Sequence, residues 1–157
     1  HFREWDETKE CDWTLLNYPI HDAFNRYFAR LGKLYTSIPA LYENDYDWQS
    51  FEWIDADNAD QNLFSYMRKS EQGIYIVILN FSPNRYDAHA FGVPMKGVYH
   101  EILNTESEMY GGNVHELKKY KSVKEECNAK EQSIRVDVPA FGGVLLEHKL
   151  RAKKGKE

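Results

Sequence analysis

The stretch Ile74-Tyr75-Ile76-Val77-Ile78-Leu79 decides the fold. Six successive β-branched, aromatic and leucine residues bounded by turn formers predict a buried β-strand. Just upstream, Leu63-Phe64-Ser65-Tyr66-Met67-Arg68 alternates with a period of two, and Ser70-Glu71-Gln72-Gly73 between the two runs predicts a hairpin turn. Working outward, Tyr86 to Val93, Gly97 to Leu103, Ser133 to Val138 and Gly143 to His148 predict further strands, punctuated by Pro83, Pro94, Gly111, Gly112, Pro139 and Gly142. Residues 104–132 form a long polar excursion, expected to hold one or two short strands and a flexible loop. Short strands with turn signals at this spacing predict a mainly β chain built as an antiparallel β-sandwich.

Upstream of Phe51 the period changes to that of a helix. Ile20, Phe24, Tyr27, Phe28, Leu31, Leu34 and Tyr35 recur at spacings of three and four, which predicts one long helix with a single apolar stripe. The stripe is very apolar for a lone helix, so it is expected to fold onto the sandwich or to join a dimer contact. Asp22 near its start and Arg30 and Lys33 in its later half suit the helix dipole. Ser37 to Tyr42 predicts a short second helix, with Ser37 as cap and Pro39 in its first turn. Residues 1–19 read as an irregular loop, rich in charge and tryptophan.

Composition narrows the function classes. An apolar fraction of 42% over 157 residues describes a folded chain rather than a disordered one. A net charge of −5 without a basic stripe argues against nucleic-acid binding. No apolar run approaches the ~20 residues of a membrane span. Cys11 and Cys127 lie far apart with no zinc spacing and are expected to be free thiols in a reducing cytoplasm. The aromatic fraction of 15%, with 4 Trp and 11 Tyr, is high, so core rings and sugar-stacking rings are both open readings. The first residue, His1, is either native or a tag remnant, and the chain is expected to be an excised segment or a processed product.

Motifs for catalysis are missing. Seven carboxylates crowd residues 43–60 (Glu43, Asp45, Asp47, Glu52, Asp55, Asp57 and Asp60), but their spacing arranges no glycosidase-type pair. A calcium loop starting at Asp55 would need Gly where Asp60 stands and Glu where Tyr66 stands, so residues 55–60 are expected to be a turn leading into a strand. The six histidines include no pair at i, i+4, and no metal or cofactor is expected. Asn80-Phe81-Ser82 fits the glycosylation pattern, which carries little weight without evidence of secretion.

Ordered segments resemble a known family. Phe2-Arg3-Glu4-Trp5 and Asp12-Trp13-Thr14-Leu15-Leu16, then Leu34-Tyr35 with Pro39-Ala40-Leu41, are followed by Phe51-Glu52-Trp53-Ile54 and Asn80-Phe81-Ser82-Pro83. Glu101-Ile102-Leu103-Asn104-Thr105, Tyr110-Gly111-Gly112 and Val138-Pro139-Ala140-Phe141-Gly142-Gly143 complete the series. In order and spacing they resemble the C-terminal portion of bacterial 1,4-alpha-glucan (glycogen) branching enzymes of the alpha-amylase superfamily.

The resemblance implies a division. Residues 1–45 would be the last loop and helices of a (β/α)8 barrel, 46–149 the C-terminal β-sandwich, and 150–157 a disordered basic tail. The family's catalytic Asp, Glu and Asp lie on earlier barrel strands, so none is carried over and the chain alone is expected to be inactive. The whole enzyme cleaves an alpha-1,4-glucan and transfers the chain to a 6-hydroxyl. Trp53 resembles a glucan-contacting tryptophan of the family, and Phe51, Trp5 and Arg3 are the other candidate glucan-binding residues. The expected partners are alpha-glucan (glycogen) and the catalytic barrel of the same polypeptide. Two other readings are a stand-alone glucan-binding module and an immunoglobulin-like interaction domain.

Overall fold

The computed structural model describes residues 4 and 6–150. Arg3 and Trp5 and the basic tail beyond residue 150 lie outside the described residues. A short 3-10 turn at Trp13–Asn17 leads into helix α1, Pro19–Ser37. Pro19 occupies the first helical position, where a missing N–H is harmless. Asp22 sits in the first turn and pairs with Arg26. The helix ends where Ile38, extended at φ −113° and ψ 100°, precedes Pro39. Pro39–Leu41 then forms a single 3-10 turn whose cap position is Ile38, not Ser37. The Ser37 hydroxyl instead donates to the Leu34 carbonyl, at 3.2 Å.

Eight strands follow: β1 Phe51–Asn58, β2 Leu63–Lys69, β3 Gly73–Asn80, β4 Tyr86–Val93, β5 Val98–Asn104, β6 Lys119–Lys121, β7 Gln132–Val138 and β8 Gly143–Lys149. Six of them form one antiparallel sheet in the order β1-β2-β3-β8-β5-β6, and β4 pairs with β7 in a second sheet. The antiparallel sandwich expected from the sequence is therefore present. Its core lies between the sheets, where Met67, Ile76, Ile78 and Leu146 of the large sheet meet Phe91, Ile134, Val136 and Val138 of the small one. Burying such a layer is the dominant stabilising term of the fold.

Two expectations are corrected. Residues 55–58 are strand, not turn: β1 runs through them beside β2, with irregular register near Asp55, and the turn falls at 59–62. Asn62 takes the left-handed φ of 52° that this turn needs. The 104–132 excursion holds a short strand, as expected, but its loop is pinned rather than loose. It contains β6 and is held by bridges Ser107–Val114, Val123–Ser133 and Cys127–Lys130. Gly112 belongs to this scaffold, because a Cβ there would lie 2.1 Å from the Glu106 carbonyl oxygen.

The large sheet is apolar on both faces. Residues paired across antiparallel strands share a face. Trp53–Tyr66, Tyr66–Val77, Val77–Leu145 and Leu145–Leu103 therefore make one continuous row on the side away from the core. Helix α1 covers part of this face, with Leu34 and Ile38 packed on Tyr75, Leu103 and Leu145. Tyr27 meets Tyr110 edge-on at 5.4 Å, and Arg26 donates to the Met109 carbonyl at 2.9 Å. The expected single stripe is thus split. Tyr27, Leu31 and Leu34 turn toward the sheet, while Ile20, Phe24, Phe28 and Tyr35 stay exposed.

Candidate functional site

An open groove of about 810 Å3 runs between α1 and the outer face of the large sheet. Tyr27, Phe28 and Leu31 form one wall, and Tyr66, Val77 and Leu145 form the floor. At one end lie Phe51 and Tyr66, in rings 5.2 Å apart. Trp53 stands beside them, 5.2 Å from Phe51 and 5.7 Å from Tyr66, edge-on to both. Residues 51 and 53 share a face because side chains alternate along a strand, and the β1–β2 register places Tyr66 opposite Trp53.

Phe51 and Tyr66 are half-buried, while Trp53 remains 51% exposed, so about half of its surface is open to a ligand. Burial raises the Tyr66 phenol above its ordinary range, so this hydroxyl stays a neutral donor and acceptor. Tyr66 is the member of the cluster that sequence reasoning missed; its signal was the hairpin register. Of the other predicted contacts, Arg3 and Trp5 lie outside the described residues.

The opposite end of the groove is built by three of the motif segments. The Asn80 amide nitrogen donates to the carbonyls of Asn84 (2.7 Å) and Pro139 (2.8 Å), while its oxygen accepts from the Ser82 N–H and hydroxyl. Thr105 accepts from the Gly143 N–H at 2.9 Å. A Cβ on Gly142 would lie 2.5 Å from the Thr105 hydroxyl, so only glycine allows this approach. Phe81 and Phe141 project from these turns and remain exposed at the groove rim. Asn80 is itself 2% exposed and fully bonded, which leaves no room for a glycan on the sequon.

Several of the clustered carboxylates are tied into the fold. Asp45 pairs with Arg68, and Glu52 pairs with both Lys69 and Lys130. Lys130, then Lys69, hold the Glu52 carboxyl below the usual glutamate range. Asp47 accepts from the Gln49 N–H at 2.9 Å. Away from this region, buried Glu101 accepts from the Tyr120 hydroxyl at 2.6 Å and the Lys118 N–H at 3.0 Å. Burial first, then Glu101, pushes the Tyr120 phenol upward. Among the described residues no three His, Cys, Asp or Glu side chains gather as metal ligands, and both cysteines are free thiols. No helix among them is long and apolar enough to cross a membrane.

The two-sheet topology defines an antiparallel all-β sandwich. The chain belongs to the family of the alpha amylase C-terminal all-beta domain, whose model matches residues 53–149. It is similar over nearly its whole length to 1,4-alpha-glucan branching enzymes. The enzyme of Butyrivibrio fibrisolvens is 36% identical over 97% of this chain and 24% of its own length. That of Nitrosococcus oceani is 37% identical over 96% of this chain and 20% of its own length. That of Bacillus cytotoxicus is 34% identical over 99% and 24%, respectively. The chain thus spans about a fifth to a quarter of the length of these relatives.

Proposed function

We propose that this chain serves a 1,4-alpha-glucan branching enzyme as its C-terminal portion, shaping and supporting the catalytic barrel without supplying the reacting groups. Residues 1–45 would close the barrel with its last loop and helices, and 46–149 would stand against it as the sandwich. The similarity to branching enzymes from one end of the chain to the other, at 34–37% identity, carries this reading. The exposed half of α1 and the apolar groove beside it support it, because several large side chains there lack the burial that each would gain, worth about 1.5–3 kcal/mol apiece. The rest of the barrel is the partner that would cover them.

In the whole enzyme a retaining transfer would cut an alpha-1,4 bond, hold the glucosyl chain covalently, and pass it to a 6-hydroxyl in the cytoplasm. The part assigned to this chain is glucan contact at the Phe51–Trp53–Tyr66 cluster, joined by Arg3 and Trp5 on the barrel loop. The open indole of Trp53 suits the CH face of a glucose ring, and groups such as the Tyr66 hydroxyl suit its hydroxyls. The test is incubation of the pure chain with amylose, followed by debranching and chain-length analysis. The expected result is no new alpha-1,6 linkage. Branches formed by the chain alone would refute the assignment.

A further inference from the structure

The link between the Pro39–Leu41 turn and β1 carries two unusually displayed rings. Tyr46 and Trp48 are 107% and 82% exposed, more than any other large apolar side chain among the described residues. The loop beneath them is firmly fastened. Asp47 accepts from the Gln49 N–H, and the buried Ser50 hydroxyl donates to the carbonyls of Asn44 (2.7 Å) and Asp47 (2.9 Å). Arg68 pairs with Asp45 and donates to the Ala40 carbonyl at 2.9 Å. Asn44 takes the left-handed φ of 56° that asparagine tolerates. Every fastening uses the backbone or the polar neighbours of the rings.

We propose that Tyr46 and Trp48 form a stacking site for a neutral alpha-glucan chain, adjoining the Phe51–Trp53–Tyr66 cluster. The inference rests on the reading that this chain meets glucan. Chemistry selects the ligand class. Residues 42–50, Tyr-Glu-Asn-Asp-Tyr-Asp-Trp-Gln-Ser, hold three carboxylates and a serine, residue types depleted from the core of protein-docking patches. Their three carboxylates repel phosphates and nucleic acids. What remains is two flat apolar faces flanked by acceptors and an amide, which suits a polyol with apolar CH faces. Held on a fastened loop, the rings lose little conformational freedom when a ligand arrives. The loop runs directly into β1, so Trp48 and Trp53 are at most about 18 Å apart along five residues of chain.

The experiment is native electrophoresis of the whole chain in gels with and without glycogen. It compares the parent, the Tyr46→Ala/Trp48→Ala double variant and Trp53→Ala. The double variant is expected to raise the apparent glycogen dissociation constant roughly tenfold, with an unchanged melting midpoint because the rings are not packed. Trp48→Phe should keep most of the retardation. If the double variant is retarded like the parent while Trp53→Ala is not, the loop site is overturned and the glucan reading stands. If the parent itself runs unretarded, the loop site and glucan contact by this chain both fall. Should the double variant melt early, Trp48→Gln alone is measured, and retardation equal to the parent's overturns the site.

Discussion

The Asn80 amide donates a 2.8 Å hydrogen bond to the Pro139 carbonyl, locking the turn that ends β3 to the turn that begins β8. The same side chain satisfies Asn84 and Ser82, so four polar groups depend on one buried residue. Asn80→Ala removes all four bonds, and of the four groups only the Ser82 hydroxyl and the Asn84 carbonyl stay bonded, to each other at 3.5 Å. The expected cost is about 2–3 kcal/mol, read from the urea midpoint of the chain. A loss below a few tenths would show that the turns hold without this bond.

Ser65 presents the opposite case. Its hydroxyl is fully buried between the sheets and has no hydrogen-bond partner. Ser65→Ala removes an uncompensated polar group and should stabilise the chain by about 1 kcal/mol. Differential scanning calorimetry reads the change, and a lower melting temperature would contradict it.

Glu52 ties β1 to both β2 and the segment before β7 through Lys69 and Lys130. Its folded-state pKa is depressed, so its contribution is fully present above the ordinary glutamate range and is lost as pH falls through the lower folded value. Glu52→Gln should therefore be less stable than the parent at neutral pH. The gap in urea midpoint should narrow as pH falls below about 4. A gap independent of pH would show that the pairs contribute nothing through charge.

The two sides of α1 should respond differently to truncation. Leu34 is buried against Leu103 and Leu145, and Leu34→Ala should cost about 2–4 kcal/mol. Phe24 and Phe28 stack on each other in solvent. Replacing both by Ser should cost less than about 1 kcal/mol and lower the binding of a hydrophobic dye. Equal losses for the two changes would mean that the outer side is covered in solution.

Much of this was legible in the sequence, for identifiable reasons. Ile74 to Leu79 announced a strand because β-branched, aromatic and leucine residues in unbroken series suit a sheet covered on both faces. Phe51 and Trp53 could be placed on one face from their spacing alone. Tyr66 could not, since joining it to them depends on the register between β1 and β2, a property of two strands at once. The division of the α1 stripe was hidden because Phe24 and Leu34 are both strongly apolar, and only the position of the sheet separates them. The acids at 55 and 57 resembled a turn, yet an edge strand with one side in water accepts them. The segments around Asn80, Thr105 and Gly142 stood out as motifs, but their meeting at one end of the groove is a consequence of the β3-β8-β5 strand order.

If this chain serves a branching enzyme as proposed, it works only when joined to the rest of that enzyme. The most direct measurement replaces the matching C-terminal portion of the Butyrivibrio fibrisolvens branching enzyme with this chain. New alpha-1,6 linkages are then assayed on amylose, for the chimera, for the relative without that portion, and for this chain alone. Branching is expected from the chimera and from neither of the two separate pieces. A chimera that folds yet forms no branches, or branches made by this chain alone, would contradict it.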